Sequence, residues 1–226
     1  MIPVALPPPA PCNAPALRCP DLVMGRPAHL PIELVRGRVR LRGASRLINI
    51  GDGPIELRGR RTGRRKMAVT QVIHGGEGGR LRWPTRAQLS FKFIPGQGRY
   101  WKLRHAARLE VWSIIEEGSL DRPVRRSEKA DYCLRDLIRQ PHPPSGAPAR
   151  RVYPRCDQDV SRASVTLGTS VGWIDRYPST CYEQYVDVTG LIGRFAFVMR
   201  ADPDNELSEL SDANNAAWVL VSLPTR

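Results

Sequence analysis

The chain has 226 residues, a length that suits one large domain or two small ones. Lys and Arg number 35 against 22 Asp and Glu, so the formal net charge is +13, and only four of the basic residues are lysines. No window of 18 consecutive apolar residues occurs, so a transmembrane helix is not expected. The composition predicts an Arg-rich, turn-rich globular protein that attracts anionic partners.

The N-terminus and the cysteines bear on cellular location. Residues 1–16 are rich in proline and lack the basic start of a signal peptide, so they are predicted to be an extended lead-in to a single domain, residues 17–226. The five cysteines are spread singly and include no C-x-x-C pair, which makes a zinc site unexpected. Up to two disulfides and one spare thiol would suit an oxidising compartment. We therefore expect a secreted or cell-surface protein.

Short segments in which apolar and polar residues alternate recur from Ile32 onward, separated by Gly- and Pro-rich turns. A period of two is typical of strands with one buried face, and no segment sustains a helical period. Residues 141–148 are predicted to form a surface loop. The predicted strands are Val35–Arg42, Arg46–Ile50, Ile55–Leu57, Met67–Ile73, Gln88–Ile94, Ala107–Ile115, Tyr182–Val188, Arg194–Arg200 and Ala216–Leu223. This pattern predicts an all-β, antiparallel β-sandwich with long loops.

The densest basic cluster lies between Arg58 and Lys66. It could bind a polyanion, or it could be the solvated tip of a hairpin. Aromatic residues do not interleave with it, so nucleic acid is not the expected partner. The four histidines are too far apart in sequence for two of them to chelate a metal from one strand or helix.

Oxygen-bearing side chains concentrate near the C-terminus, in residues 202–206 and 209–215. Carboxylate, amide and carbonyl oxygens are the ligands that Ca²⁺ takes in proteins, so this stretch is chemically competent to bind it. Two Asx-rich turns between strands are the alternative.

Seven segments together carry a resemblance to a known family. They are Cys19-Pro-Asp-Leu22, Asn49–Leu57, Tyr132-Cys-Leu-Arg-Asp136, Leu167–Tyr177, Gln184–Gly190, Ala201–Asn205 and Asn214-Asn215. In this order and spacing they resemble the lysyl oxidase family in its bacterial form. The resemblance covers roughly residues 17–224 and implies a lysyl oxidase-like β-sandwich. In that family a copper ion on a His-x-His-x-His strand converts a Tyr to a quinone that captures a Lys, and the cofactor oxidises primary amines to aldehydes.

The resemblance assigns the two quinone precursors to Lys129 and Tyr177. Its copper strand falls on Gly98-Arg-Tyr-Trp-Lys102, so the three ligand positions hold Gly98, Tyr100 and Lys102. Glycine has no side chain to offer and a protonated lysine repels Cu²⁺, and a shifted register would supply only His105. The resemblance therefore implies a degraded copper site.

Two structural features also follow from the resemblance. It implies a Cys133–Cys156 disulfide and, with a weaker match, a Cys19–Cys181 disulfide that leaves Cys12 spare. It also implies a structural Ca²⁺ site, in which Ser211 stands where an Asp is expected and Asp212 could compensate. The Ca²⁺ ligands it assigns are Asp21, the carbonyl of Leu22, Glu209, Asn214 and Asn215.

We therefore expect a non-catalytic, extracytoplasmic binding or structural module whose partner is an anionic cell-surface polymer or protein. The alternative is a working copper- and quinone-dependent amine oxidase that acts on protein lysine and releases aldehyde, ammonia and hydrogen peroxide. In the alternative, Lys129 and Tyr177 would form the quinone, and Tyr100 and His105 would bind copper together with a distant donor.

Overall fold

A computed structural model describes residues 11–96, 98–115 and 119–223. Within these ranges the chain contains strands and two short 3₁₀ turns, Pro11–Asn13 and Gly76–Gly78, and no α-helix. Every strand pairing is antiparallel, as the period-two pattern predicts. No helix among the described residues is long and apolar enough to cross a membrane. Residues 1–10 of the predicted lead-in lie outside the described part.

Seventeen strands are present in the described ranges. They are β1 (Leu17–Arg18), β2 (Leu22–Met24), β3 (Ile32–Val35), β4 (Arg38–Arg42), β5 (Ser45–Asn49), β6 (Ile55–Gly63), β7 (Lys66–Gly75), β8 (Arg80–Ile94), β9 (Gly98–Ile114), β10 (Leu120–Arg126), β11 (Ala130–Tyr132), β12 (Ile138–Arg139), β13 (Ser164–Thr169), β14 (Trp173–Tyr177), β15 (Tyr185–Asp187), β16 (Gly193–Ala201) and β17 (Ala216–Leu223).

The largest sheet has the strand order β13-β6-β7-β8-β9-β16-β17, and in addition β1 pairs with β7 and both β10 and β11 pair with β9. Strand β9 is its longest element, and it pairs first with β8 and then with β16. The change of partner falls around His105, whose φ of 58° lies in the left-handed region that a non-glycine residue rarely adopts. This irregularity directs the two halves of β9 into different parts of the sheet.

Two smaller sheets, β12-β14-β5-β2 and β15-β4-β3, complete the fold. One continuous hydrophobic core joins all three sheets, which is the sandwich-like arrangement that the sequence predicts. The largest buried apolar side chains in it include Trp101, Tyr132 and Phe197. Tyr132, on β11, and Tyr177, on β14, connect the large sheet to the first of the smaller sheets.

The predicted strand Val35–Arg42 is wrong, because the chain reverses within it. Strands β3 and β4 form a hairpin whose two-residue turn is Arg36-Gly37, with φ values of 50° and 76°. Two successive left-handed residues are the geometry of a type I′ turn, which suits the twist of the strands it connects. The other predicted strands are present, and several extend beyond their predicted bounds, whereas only Tyr185–Asp187 of the predicted Tyr182–Val188 forms a strand. The predicted loop, residues 141–148, contains no strand.

The structure contains two disulfides. Cys133–Cys156 is present, as the resemblance implies. The Cys19–Cys181 pairing is wrong, because Cys19 is bonded to Cys12, whose Cα lies 5.7 Å away. Cys181 is the free cysteine of the described residues, and burial raises the pKa of its thiol. The short 3₁₀ turn around Cys12 brings this cysteine back to Cys19, an approach that the proline-rich sequence did not suggest.

Candidate functional site

Tyr177, the predicted quinone tyrosine, lies at the end of β14 with its side chain in the core. Its ring stacks on that of Tyr132 with the ring centroids 3.8 Å apart. Its hydroxyl oxygen accepts a hydrogen bond of 2.8 Å from the backbone N–H of Cys133. Burial raises the pKa of this phenol well above its ordinary value, and the nearby carboxyl group of Asp175 adds to the effect. Tyr177 is therefore a protonated phenol in a packed setting.

Of the three copper-equivalent positions, Lys102 is the one that reaches Tyr177. Its Nζ atom lies 5.8 Å from the ring centroid, and only 2% of the residue is exposed. Burial lowers the pKa of this ammonium, and the carboxylates of Glu183 and Asp131 oppose the shift. The strand that the resemblance assigns to copper thus packs against the predicted quinone tyrosine, but a lysine ammonium stands at the point of contact.

The other two positions offer no matching ligands. Gly98 opens β9 with a φ of 100°, a value that glycine adopts without strain. Tyr100 lines a cavity of about 680 Å³ together with Arg135 and Asp157. His105, the alternative donor, lies on the wall of a different cavity. Within the described residues no group of three or more His, Cys, Asp or Glu side chains could hold a metal ion. These residues do not fit a copper centre.

Lys129, the predicted quinone lysine, is bound elsewhere. Its Nζ atom lies 2.5 Å from both carboxylate oxygens of Asp204. His105 Nδ1 also lies 3.0 Å from Asp204, and the His105 backbone N–H donates to Asp131. Desolvation raises the pKa of Asp204, but the hydrogen bonds with Lys129 and His105 outweigh it, so the net effect is a lowered pKa. Asp204 is a functional candidate that the sequence reasoning missed.

These residues border a surface groove, which consists of two adjoining cavities of about 510 and 620 Å³. Both cavities include Lys92, Arg126 and Lys129 in their walls. Most of the basic groups are already paired with acids, since Lys92 binds Asp131 and Glu183, and Arg126 binds Glu110. Among the described residues, no hydrogen bond, ion pair or ring contact joins Lys129 to Tyr177.

Asp175, on β14, is a second group that the sequence reasoning missed. Its side chain is completely buried, and neither carboxylate oxygen has a hydrogen-bond partner among the described residues. Desolvation raises its pKa well above the ordinary value, and the positive charges of Arg135 and Lys102 oppose the shift. Its position on an alternating strand could have predicted burial, but an Asp is rarely expected there.

The predicted Ca²⁺ residues do come together. Asn214 Nδ2 donates to both carboxylate oxygens of Asp21, at 3.0 and 3.1 Å. Glu209 accepts a hydrogen bond of 2.5 Å from the Leu22 N–H and one of 3.2 Å from Asn215 Nδ2. The side-chain oxygens of Asn214 and Asn215 are buried without a partner in the described part. Two carboxylates and two unpartnered amide oxygens are a donor set that fits Ca²⁺.

The charge balance of this cluster also favours a cation. Burial raises the pKa of Glu209 well above its ordinary value, and repulsion from Asp202 and Asp212 adds to the effect. Burial likewise raises the pKa of Asp202 to about 6.

The predicted basic cluster divides into two parts in the structure. Arg61 lies on the inner side of β6, where its guanidinium donates to the carbonyls of Val160 and Arg162 and lies 5.8 Å from the Trp101 ring centroid. Arg58 and Arg60 lie on the opposite side of β6, and Arg64 and Arg65 form the turn before β7. The cluster is therefore more than a solvated hairpin tip.

Comparison of the chain with protein-family models gives no match, and comparison with curated proteins gives none either. The resemblance to lysyl oxidases therefore rests on the motifs named above.

Proposed function

We propose that this protein is a lysyl oxidase-like module that does not oxidise amines, and that it binds an anionic polymer outside the cytoplasm. The observation that carries the first part is that the two quinone precursors have different partners and no direct contact among the described residues. Lys129 is bound to Asp204 beside the groove, whereas Tyr177 is buried against Tyr132. A quinone formed from Tyr177 would need both an oxidising metal beside the ring and a lysine within bonding reach.

The copper-equivalent residues support the same proposal. Cu²⁺ favours neutral imidazole nitrogen, and Gly98, Tyr100 and Lys102 supply none. Lys102 lies over the ring of Tyr177, so a lysine side chain and not an imidazole faces this ring.

Calcium is the metal that the residues would accommodate. Asp21, Glu209, Asn214 and Asn215 would hold it, with Leu22 beside them, and they join the start of β2 to the segment before β17. A bound Ca²⁺ would neutralise the acidic cluster and tie together two segments that are far apart in sequence. Its role in this proposal is structural.

The location and partner are proposed from the disulfides and the charge. Two disulfides suit an extracellular protein, because cytosolic thiols are kept reduced. The net charge of +13 favours association with polyanions, such as an acidic wall polymer or polysaccharide.

One observation favours the alternative, a working amine oxidase. The approach of Lys102 to Tyr177 puts a lysine of lowered pKa beside the tyrosine that the family oxidises. In this alternative Lys102 would take the place of Lys129.

The experiment that separates the two candidates measures hydrogen peroxide release from a lysine-containing peptide. The protein is first incubated with Cu²⁺ in air and freed of excess metal. The proposal predicts no release above that of a Tyr177→Phe variant treated identically. Release by the wild type that is absent from Tyr177→Phe would establish the oxidase and refute the proposal.

A further inference from the structure

One open face of the large sheet carries a set of basic side chains. Strands β13, β6, β7 and β8 pair so that Ser164, Arg60, Ala68 and Gln88 form one row across the sheet. The opposite side of the same strands presents Leu57, Met67, Val69 and Leu89 to the core. Because side chains alternate along a strand, the row that contains Arg60 points to solvent. All four of its residues are exposed.

We call this surface the arginine face and define it by its basic residues, Arg58, Arg60, Lys66, Arg82 and Arg86. Arg82 is opposite Val72 in the register, and Arg86 lies two residues before Gln88 on β8. Strands β6 and β8 are two strand spacings apart, so Arg60 and the arginines of β8 are about 10 Å apart in the direction across the strands. The residues between them on β7, Ala68 and Thr70, are short and leave the guanidinium groups uncovered.

The positive charges of the arginine face are largely unpaired. Within the described part of the chain, Arg60, Lys66, Arg82 and Arg86 make no ion pair. The one acid among these rows is Glu56, which is buried and already binds Arg58, His74 and Tyr153. The groove beside Lys129 differs, because its cations are matched by carboxylates. A polyanion would therefore meet a less compensated positive charge at the arginine face than at that groove.

We propose that the arginine face binds a linear, carboxylate-bearing polysaccharide laid flat across strands β6 to β8. The guanidinium fork pairs with a carboxylate through two parallel hydrogen bonds, and arginine supplies four of the five cations. An open sheet without a deep pocket suits an extended chain whose charges recur along its length. This inference rests on the anionic partner of the proposed function and gives it a place and a chemical class.

Single-stranded nucleic acid is the competing polyanion, and the face lacks what it needs. Proteins hold single strands by stacking bases on exposed aromatic rings as well as by charge. The rows that contain Arg58, Arg60 and Arg82 hold only Ser, Thr, Ala, Gln, Pro and Val beside the arginines. A polymer without bases loses nothing from the absence of aromatic side chains in these rows.

The test uses the full chain and measures its affinity for polygalacturonate at low salt and at a series of rising salt concentrations. Neutral dextran and an oligothymidine are compared with it. The face variant is Arg60→Gln, Arg82→Gln, Arg86→Gln. A matched control, Arg36→Gln, Arg122→Gln, Arg125→Gln, removes the same charge from exposed arginines outside the face. Thermal unfolding of each variant shows whether it folds.

We expect the face variant to bind polygalacturonate roughly tenfold more weakly or worse. The slope of log affinity against log salt concentration should become less steep by about one for each lost contact. The control variant should keep affinity near that of the wild type. Equal losses in both variants would overturn the assignment to this face while leaving the anionic partner in place. Stronger binding to oligothymidine would overturn the polysaccharide class. If wild type binds no polyanion at low salt, both this inference and the anionic partner fail.

Discussion

Lys129 and Asp204 form a bidentate ion pair, with the Nζ atom 2.5 Å from each carboxylate oxygen. The two residues are 75 positions apart, and the pair fixes the segment before β11 to the turn after β16. Lys129 therefore has a structural partner in the folded protein. Tyr177 also has structural partners, because its ring stacks on Tyr132 and its hydroxyl oxygen accepts a hydrogen bond from the Cys133 backbone N–H. Both residues that the resemblance assigns to the quinone thus have structural partners in the folded protein.

The first prediction concerns the Tyr177 hydroxyl. Tyr177→Phe keeps the ring stacked on Tyr132 but leaves the buried Cys133 N–H without its acceptor. A buried donor without a partner costs about 1–3 kcal/mol, so the free energy of unfolding should fall by that amount. Chemical denaturation of both proteins measures it. A variant as stable as the wild type would show that this hydrogen bond does not hold the core.

The second prediction concerns pH. Because the pKa of Asp175 is raised in the folded state, its contribution to stability is present below its unfolded pKa and is lost as pH rises through the folded pKa. Asp175→Asn removes this titration. The variant should be more stable than the wild type above neutral pH, and the difference should shrink or reverse in acid.

Denaturation midpoints across the pH range measure this difference. Asp187→Asn is the control, since hydrogen bonds from Thr189 and Arg38 lower the pKa of its partly exposed carboxylate to about 2, so it stays ionised at all but the most acidic pH values. A stability difference between Asp175→Asn and the wild type that does not change with pH would contradict the assignment.

The third prediction concerns calcium. Excess Ca²⁺ should raise the unfolding temperature of protein treated with a chelator, because a ligand at a hundred times its Kd stabilises the folded state by about 2.7 kcal/mol. Glu209→Gln should abolish the increase, since it removes one of two carboxylates from the donor set. The control Glu33→Gln alters an acid that pairs with Arg42, and it should keep the full response. A response to Ca²⁺ that survives Glu209→Gln would place the metal elsewhere.

The fourth prediction concerns the thiols. Alkylation of the denatured, unreduced protein should modify Cys181 and leave the other four cysteines unmodified. Peptide mapping identifies the labelled residue. Label on Cys12 would support the Cys19–Cys181 pairing that the resemblance implies.

Replacing Cys133 and Cys156 together by alanine should lower the free energy of unfolding by about 3 kcal/mol, the chain-entropy value for a loop of this size.

The sequence predicted the all-β class, since the first half of β7 buries every second side chain, Met67, Val69 and Gln71, and the alternation of Met67 and Val69 with Lys66, Ala68 and Thr70 is visible in the letters. Through the family resemblance it also predicted the Cys133–Cys156 disulfide and the contact between Asp21 and Asn214. It did not predict the β3–β4 hairpin, because Arg36-Gly37 is not the Asn-Gly pair that marks such turns.

The environments of Lys129 and Asp175 were also beyond the sequence. The partner of Lys129 lies on a turn that reaches it only because both segments pack beside β9. The burial of Asp175 depends on β14 lying between β5 and β12. Neither relationship leaves a local pattern in the sequence.

The most direct test of the central claim is phenylhydrazine labelling of protein preincubated with copper and oxygen, followed by peptide mass spectrometry. The reagent reacts with a quinone carbonyl and marks the peptide that carries it. The account predicts unmodified peptides for Lys102, Lys129 and Tyr177. A hydrazone on a Tyr177 peptide cross-linked to Lys129 or Lys102 would contradict it and establish that the protein makes the family cofactor.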